Sequence, residues 1–431
     1  MTRPQDDNLG GEFFSFNDIV KKGAGSMWKY AILLLMSLGV SNIGGWVYLI
    51  ALNLIVLQET GSPLAVGLLY ILAPIAALLT NAWSGSLIDR TNTRRLMIVL
   101  DVIRAALIIL IPLLSSIIYI YCVVLVVNLA NAISQPASTV YITKLIPKEN
   151  RQRFNALRGF IHSSGTMLGP AIAGFLFFVG SPFMAIYLNG ASLLFSALLL
   201  LLLPVVDAPI ERTKSTRRFE QIQADIKTVV SYCKRSVYVF YVYGLFVLVT
   251  VFMTAIDSLE ASFAKIELLL TDAEYGFLLS FFGVGIIVGS LINVRFAKSL
   301  KVETLIGYGT VMTAVAYVTL YVATDQVVAI IGVTLIGFFV TFLNTGYLTF
   351  YQNAVPTSLM GRFMSLFGLV EALAIIFFTV VFGIMANVIG IRPVGLVGSV
   401  LFFIVGIAAI RVTKRKNRHS VVRNDESMDY E

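Results

Sequence analysis

Histidine and cysteine occur only twice each, tryptophan three times, and charged residues make up 13% of this 431-residue sequence. So few proton- and metal-handling groups argue against an enzyme. His162, His419 and the sparse carboxylates supply no metal cluster, phosphate-binding loop or nucleophile constellation, and no cofactor is expected. Nor is a disulfide framework available, because Cys122 lies in an apolar run and Cys233 in a polar one. Hydrocarbon stands where charge is missing: 58% of residues are hydrophobic and the mean hydropathy is +0.86, far from soluble-domain averages. The bilayer is the expected solvent.

A helix needs about 20 apolar residues to cross a bilayer core. The runs 30–57, 64–88, 96–114, 117–142, 154–179, 183–204, 237–261, 275–296, 303–323, 327–351, 362–388 and 394–411 predict twelve such spans. The fold class is therefore an all-α membrane protein, and its halves repeat. Gly85-Ser86-Leu87-Ile88-Asp89 returns 204 residues later as Gly289-Ser290-Leu291-Ile292-Asn293. A second pair, Pro147 with Arg153-Phe154 and Pro356 with Arg362-Phe363, is displaced by 209 residues in the same direction. Two parallel six-helix halves are the arrangement expected of a transporter. The predicted organisation is an N-terminal segment 1–29, a first half 30–204, a linker 205–236, a second half 237–411 and a tail 412–431.

Basic residues accumulate in cytoplasmic loops. With both termini inside, 29 of the 32 Lys and Arg residues lie on that side, Lys265 and Arg392 on the other, and Arg104 within span 3. The net charge of +8 then describes a surface facing anionic lipids and gives no reason to expect nucleic acid. The first 29 residues are polar and the first apolar run is too long for a signal-peptide core, so a retained first span and a place in the cell membrane are expected. A monomer is expected. In the linker, Phe219, Ile222, Ile226, Val229, Val230 and Cys233 recur at helical spacing, flanked by Arg217, Arg218, Lys234 and Arg235. An amphipathic helix on the inner leaflet and a solvated helical linker are the two readings.

After span 2 the sequence runs Gly85-Ser86-Leu87-Ile88-Asp89-Arg90-Thr91-Asn92-Thr93-Arg94-Arg95. A glycine at position 85 is expected to permit close helix approach. A carboxylate then marks the helix end, and cations follow. Asp89 is placed to face the first turn of span 11 near Gly361-Arg362, where free amides and a guanidinium offer an anion lock between the halves. A solvated charge is the alternative. The loop resembles the signature of the major facilitator superfamily, except that Asn92 replaces its turn glycine and Thr93 a basic residue. Asn tolerates positive φ, so the turn is expected to survive. The resemblance implies the twelve-helix major facilitator fold and an inner gate built from Gly85, Asp89, Arg90, Arg94, Arg95 and Arg362.

In span 5, Gly165-Thr166-Met167-Leu168-Gly169-Pro170-Ala171-Ile172-Ala173-Gly174 carries small residues four apart and a helix-bending proline. It is similar to the motif of this superfamily's drug/proton antiporters, with Ala173 in place of one glycine; simple helix packing is the alternative. Gln135-Pro136-Ala137, Leu145-Ile146-Pro147, Asn155-Ala156-Leu157 and Val355-Pro356 through Leu366 resemble the branch that holds enterobactin and macrolide exporters. The resemblance implies export.

Charges inside spans are costly unless paired or hydrated. Asp101 and Arg104 are spaced i, i+3 in span 3, which favours a structural or gating ion pair over proton carriage. Glu371, ~14 Å into span 11, has no cation within a turn and is the first candidate for proton coupling, against a hydrogen-bonded packing role. Asp257 and Glu260 share a face near the outer end of span 7, either lining an outward-opening cavity or standing as solvated surface charges, and come second, with Asp101 after them. His162 is either a proton carrier or, more simply, a packing residue. Cargo contacts are expected from Asn42, Trp46 and Asn53 of span 1 and from Asn128 and Asn131 of span 4. Tyr241, Phe252, Phe281, Phe338, Phe342 and Asn344 are the second half's candidates. Aromatic walls with few polar groups suit an amphipathic guest; rings facing lipid are the alternative, since the sequence does not set helix rotation.

The sequence thus predicts a proton-coupled exporter of hydrophobic or amphipathic compounds, energised by a gradient because no ATP-binding fold is present. A dedicated exporter of one cargo, such as a siderophore or lipid, is the nearest alternative. A membrane sensor or assembly partner that has lost transport is the alternative of another class.

Overall fold

In hydrocarbon every backbone amide must find its partner within the chain, so long apolar runs have little choice but to be helical. The computed structural model describes residues 24–81, 83–206, 218–296 and 300–425, and contains twelve helices long and apolar enough to cross a membrane. In the first half these are α1 (Ala24–Thr60), α2 (Pro63–Asn81), α3 (Thr93–Leu110), α4 (Ile117–Leu145), α5 (Lys148–Val179) and α6 (Pro182–Leu201). The second half has α7 (Val237–Asp257), α8 (Asp272–Phe296), α9 (Val302–Val322), α10 (Gln326–Ala354), α11 (Thr357–Ile389) and α12 (Ile391–Asp425).

The packing repeats with a step of six helices. In the first half α1 packs on α5 and α6, α3 on α4 and α6, and α2 on α4. In the second, α7 packs on α11 and α12, α9 on α10 and α12, and α8 on α10. Across the middle, α5 meets α8 and α2 meets α11, again two contacts related by the same step. The repeated pentapeptide is therefore the visible trace of a pseudo-two-fold axis.

Several boundaries differ from expectation. Span 2 is not one helix to residue 88: α2 ends at Asn81 and a separate short helix, Ser84–Arg90, follows. Span 7 ends at Asp257, beyond which a helical turn, Glu260–Ser262, passes into a π turn, Phe263–Glu267. The helix of span 12 continues past residue 411 to Asp425. Asn92 does not take up positive φ. At φ −69° it caps α3, its Oδ1 accepting from the Arg95 amide at 3.0 Å, so the turn uses capping where the family pattern uses glycine. Positive φ is needed instead at Gly390 (φ 94°), which turns α11 into α12.

The linker forms a helix, Arg218–Arg235, whose side chains are described from Lys227 onward, so Phe219, Ile222 and Ile226 lie outside the described residues. Val229 is buried, the Tyr232 hydroxyl donates to Ala354 O at 2.6 Å, and its ring meets Phe363 edge-on. This helix is docked on the second half and is not a solvated tether. Cys122 and Cys233 are both free thiols.

Candidate functional site

Among the described residues, one polar constellation lies inside the first half and another between the halves. The first surrounds a cavity of about 550 Å³ enclosed by α1, α3, α4, α5 and α6. It runs from Leu200 and Arg158, towards the face that carries the termini, to Tyr48 and Asn189 deeper in the bundle. On its wall Arg104 pairs with Asp101 at 3.2 Å, both side chains under 10% exposed. An ion pair in so dry a place holds only if its remaining donors and acceptors are satisfied. Most are: the guanidinium donates to Asn131 Oδ1 at 3.0 Å and Ser41 Oγ at 3.2 Å. Ser196 Oγ donates to Asp101 Oδ2 at 2.7 Å and lies 2.8 Å from Ser37 Oγ. Arg104 Nε, Asn42 Oδ1, Tyr48 Oη and Ser138 Oγ are buried with no hydrogen-bond partner.

Glycines of α5 shape this cavity. A Cβ on Gly165 would lie 2.9 Å from Asn42 Cγ, and one on Gly169 would lie 3.3 Å from Trp46 Cγ, so α5 presses α1's polar face into place. Gly174 faces the other way. A Cβ there would lie 2.8 Å from the carbonyl carbon of Gly276 in α8, across the junction of the halves. One motif thus serves both the cavity wall and the interface.

The second constellation seals the face opposite the termini. Gln58 donates to Asp272 Oδ2 at 2.9 Å and Asn387 Nδ2 to Ser62 Oγ at 3.1 Å, each pair joining the two halves. Behind them, Tyr317 donates to Asp257 Oδ1 at 2.6 Å and Asn53 Nδ2 to Tyr70 Oη at 3.0 Å. Glu260 Oε1 is buried and has no hydrogen-bond partner, on a turn that packs against α1 and α2 of the first half. Asp257 and Glu260 therefore do not line an outward-opening cavity. They sit beneath a closed one, because α1, α2, α7 and α8 converge at this face.

The other predicted residues separate in the same way. Asn42, Trp46, Asn128, Asn131, Asp101, Arg104 and His162 line the cavity. Asn53 belongs to the seal. The second half's candidates do not line it. Tyr241 is exposed, Phe252 is buried against Phe378 and Phe382, and Phe281 stacks edge-on with Phe277. Phe338 and Phe342 pack on each other and Asn344 is exposed. Helical period alone did not give the rotation of α7, α8 and α10.

In the loop after α2, Gly85 has nothing within 4 Å of a Cβ and makes no close approach. Its repeat mate Gly289 does, packing on Phe338 of α10 with a Cβ 3.1 Å from that residue's Cα. Arg94 donates to Leu200 O at 2.9 Å and also to Leu201 O, closing the carbonyl end of α6. Arg90 and Arg95 are exposed, and the side chains of Asp89 and Arg362 lie outside the described residues. Glu371 is half-buried with no ion pair among the described residues. Sequence reasoning missed the serines that serve the ion pair, although Ser37 and Ser41 on α1 and Ser192 and Ser196 on α6 recur at helical spacing. It also missed Arg158, and the tyrosines of the seal.

Comparison with known proteins places this geometry. The family described as Major Facilitator Superfamily matches over residues 34–378. The uncharacterized MFS-type transporter YfiS of Bacillus subtilis (strain 168) is 26% identical over 208 residues, 48% of this chain. The chain spans about half the length of that curated relative (50%). Among solved structures, the nucleoside transporter NupG (a mutant form) superposes with a TM-score of 0.71 at 13% identity, over 89% of this chain and 99% of that one. The peptide transporter POT, also as a mutant, gives 0.72 at 13% identity, covering 90% and 95%. A bacterial homologue of the iron transporter ferroportin, in an inward-facing state, gives 0.68 at 16% identity, covering 89% and 99%. At these identities the likeness is one of fold.

Proposed function

The chain belongs to the major facilitator superfamily, and from that premise we propose that it is a secondary active transporter exporting amphipathic compounds by alternating access in exchange for protons. The observation that carries the proposal is the asymmetry of the two faces: a cavity of about 550 Å³ lies towards the termini, while the opposite face is closed by contacts between the halves. With the basic, termini-bearing face taken as cytoplasmic, this is the state that loads cargo from inside. The α5 glycines support export because they couple the cavity wall to the seam between the halves. Glu371, with no ion pair among the described residues, and Asp257 and Glu260 beneath the closed face are the carboxylates this reading assigns to proton exchange. Asp89, facing residues 361–362 when the inner side closes, completes the cycle as its latch.

The test is uptake into everted membrane vesicles with and without a proton gradient, screened over lipophilic cations, macrolides, siderophores and amphipathic acids. Gradient-dependent accumulation of at least one class, abolished by a protonophore, is expected. Equal accumulation in vesicles lacking the protein refutes transport, and gradient-independent accumulation refutes proton exchange.

A further inference from the structure

The acidic, basic and imidazole side chains that line the cavity are Asp101, Arg104, Arg158 and His162. Asp101 and Arg104 neutralise one another at 3.2 Å. That leaves Arg158 and His162, at i and i+4 on one face of α5 and ~6 Å apart along its axis. Neither side chain has a hydrogen bond or ion pair among the described residues. Around them the wall is mixed: Leu35, Leu38, Leu49 and Trp46 give an apolar side, while Asn128 and Gln135 give amides.

A guanidinium with no counter-charge among the described residues, in a partly enclosed space, is an open position for an anion, and its fork matches a carboxylate in bidentate fashion. The volume suits a drug-sized guest. We propose that this cavity binds amphipathic carboxylic acids, the carboxylate held by Arg158 and the His162 imidazole and the apolar body lying against Trp46 and the leucines of α1. The inference deepens the transport reading by naming its cargo class, and it rests on that reading only for the claim that the bound acid is moved. The guest enters beside Arg158 near the termini face and passes His162 about one turn deeper. The Asp101–Arg104 pair lies on the wall beyond as a neutral, hydrogen-bonding surface.

The test uses a matched trio, 4-phenylbutyrate, 4-phenylbutyramide and 4-phenylbutylamine, titrated calorimetrically into the purified full-length protein in neutral detergent. Phenylbutyrate is expected to bind at least ten-fold more tightly than the amide, with the amine weakest. In R158Q/H162Q the acid should fall to the level of the amide while amide binding is unchanged, and R158K, which keeps the charge but not the fork, should retain only part of the preference. A structural defect moves all three ligands together, so the ratio of acid to amide separates a lost charge contact from a damaged fold. Equal binding of the trio, tighter binding of the amine, no binding of any member, or binding only of a short-chain anionic phospholipid overturns the proposal. Acid-selective binding without vesicle uptake leaves this site standing and refutes transport. Uptake indifferent to charge does the reverse.

Discussion

Gly174 of α5 and Gly276 of α8 meet backbone to backbone across the junction of the halves, with 2.8 Å between a Cβ built on Gly174 and the Gly276 carbonyl carbon. Real Cβ atoms do not approach backbone so closely. G174V is therefore expected to wedge the halves apart on the face opposite the termini. The probe is Thr379, fully buried and 3.5 Å from a Cβ built on Gly67 of the other half. T379C in a cysteine-free background should react with maleimide several-fold faster once G174V is added. An unchanged rate removes the glycine contact from the account of closure.

Asp101 and Arg104 form a buried pair served by Ser196, Asn131 and Ser41. Removing one member leaves an uncompensated charge in low dielectric, which typically costs about 3–5 kcal/mol. D101N and R104Q should each lower the melting temperature markedly, and the double variant should lower it by less than the sum of the two. Additive losses would show that the two charges act independently.

Glu371 lacks an ion-pair partner among the described residues, whereas Asp257 is held by Tyr317 and Glu260 is sealed under the closed face. E371Q preserves shape and hydrogen bonding but cannot titrate. Gradient-driven efflux from proteoliposomes should collapse while cargo binding persists. Normal pumping by E371Q between pH 6 and 8 moves the coupling role to Asp257 and then to Asp101.

Cys233, on the linker helix outside the membrane spans, has its thiol pKa pushed up by burial. Thiolate is the reactive form, so a raised pKa means less of it at any pH below that value and slower alkylation. Iodoacetamide labelling of Cys233, followed by mass spectrometry, should lag a free-thiol standard at pH 7.5, with the gap narrowing as pH rises. A profile that follows the standard would mean the helix is undocked.

Fold was legible in the sequence because the bilayer removes alternatives: an apolar run of sufficient length has to be a helix, and a displaced pentapeptide has to reflect a repeat. The i, i+3 spacing of Asp101 and Arg104 identified a contact that depends on one helix alone. What failed depended on rotation or on neighbours. Tyr241 and Asn344 are exposed and Phe252 is packed on Phe378 and Phe382, and residue type alone does not separate lipid, core and cargo faces. Asn92 and Gly85 were misjudged since a loop motif lists residue types without saying which one caps and which one packs. Arg158 went unnoticed because an arginine at a basic helix end reads as a surface charge until α1, α3, α4 and α6 close around it.

Alternating access is the central claim, and Ser62 and Asn387 offer its most direct test, being 3.1 Å apart between Oγ and Nδ2 across the closed face. S62C/N387C, made without the native cysteines, should form a disulfide on mild oxidation. Vesicle uptake of a transported compound is then measured in the oxidised protein and again after reduction. Rocking halves predict that uptake stops when the bond forms and returns when it is reduced, with cargo binding unaffected throughout. Full uptake with the disulfide quantitatively in place would contradict the account.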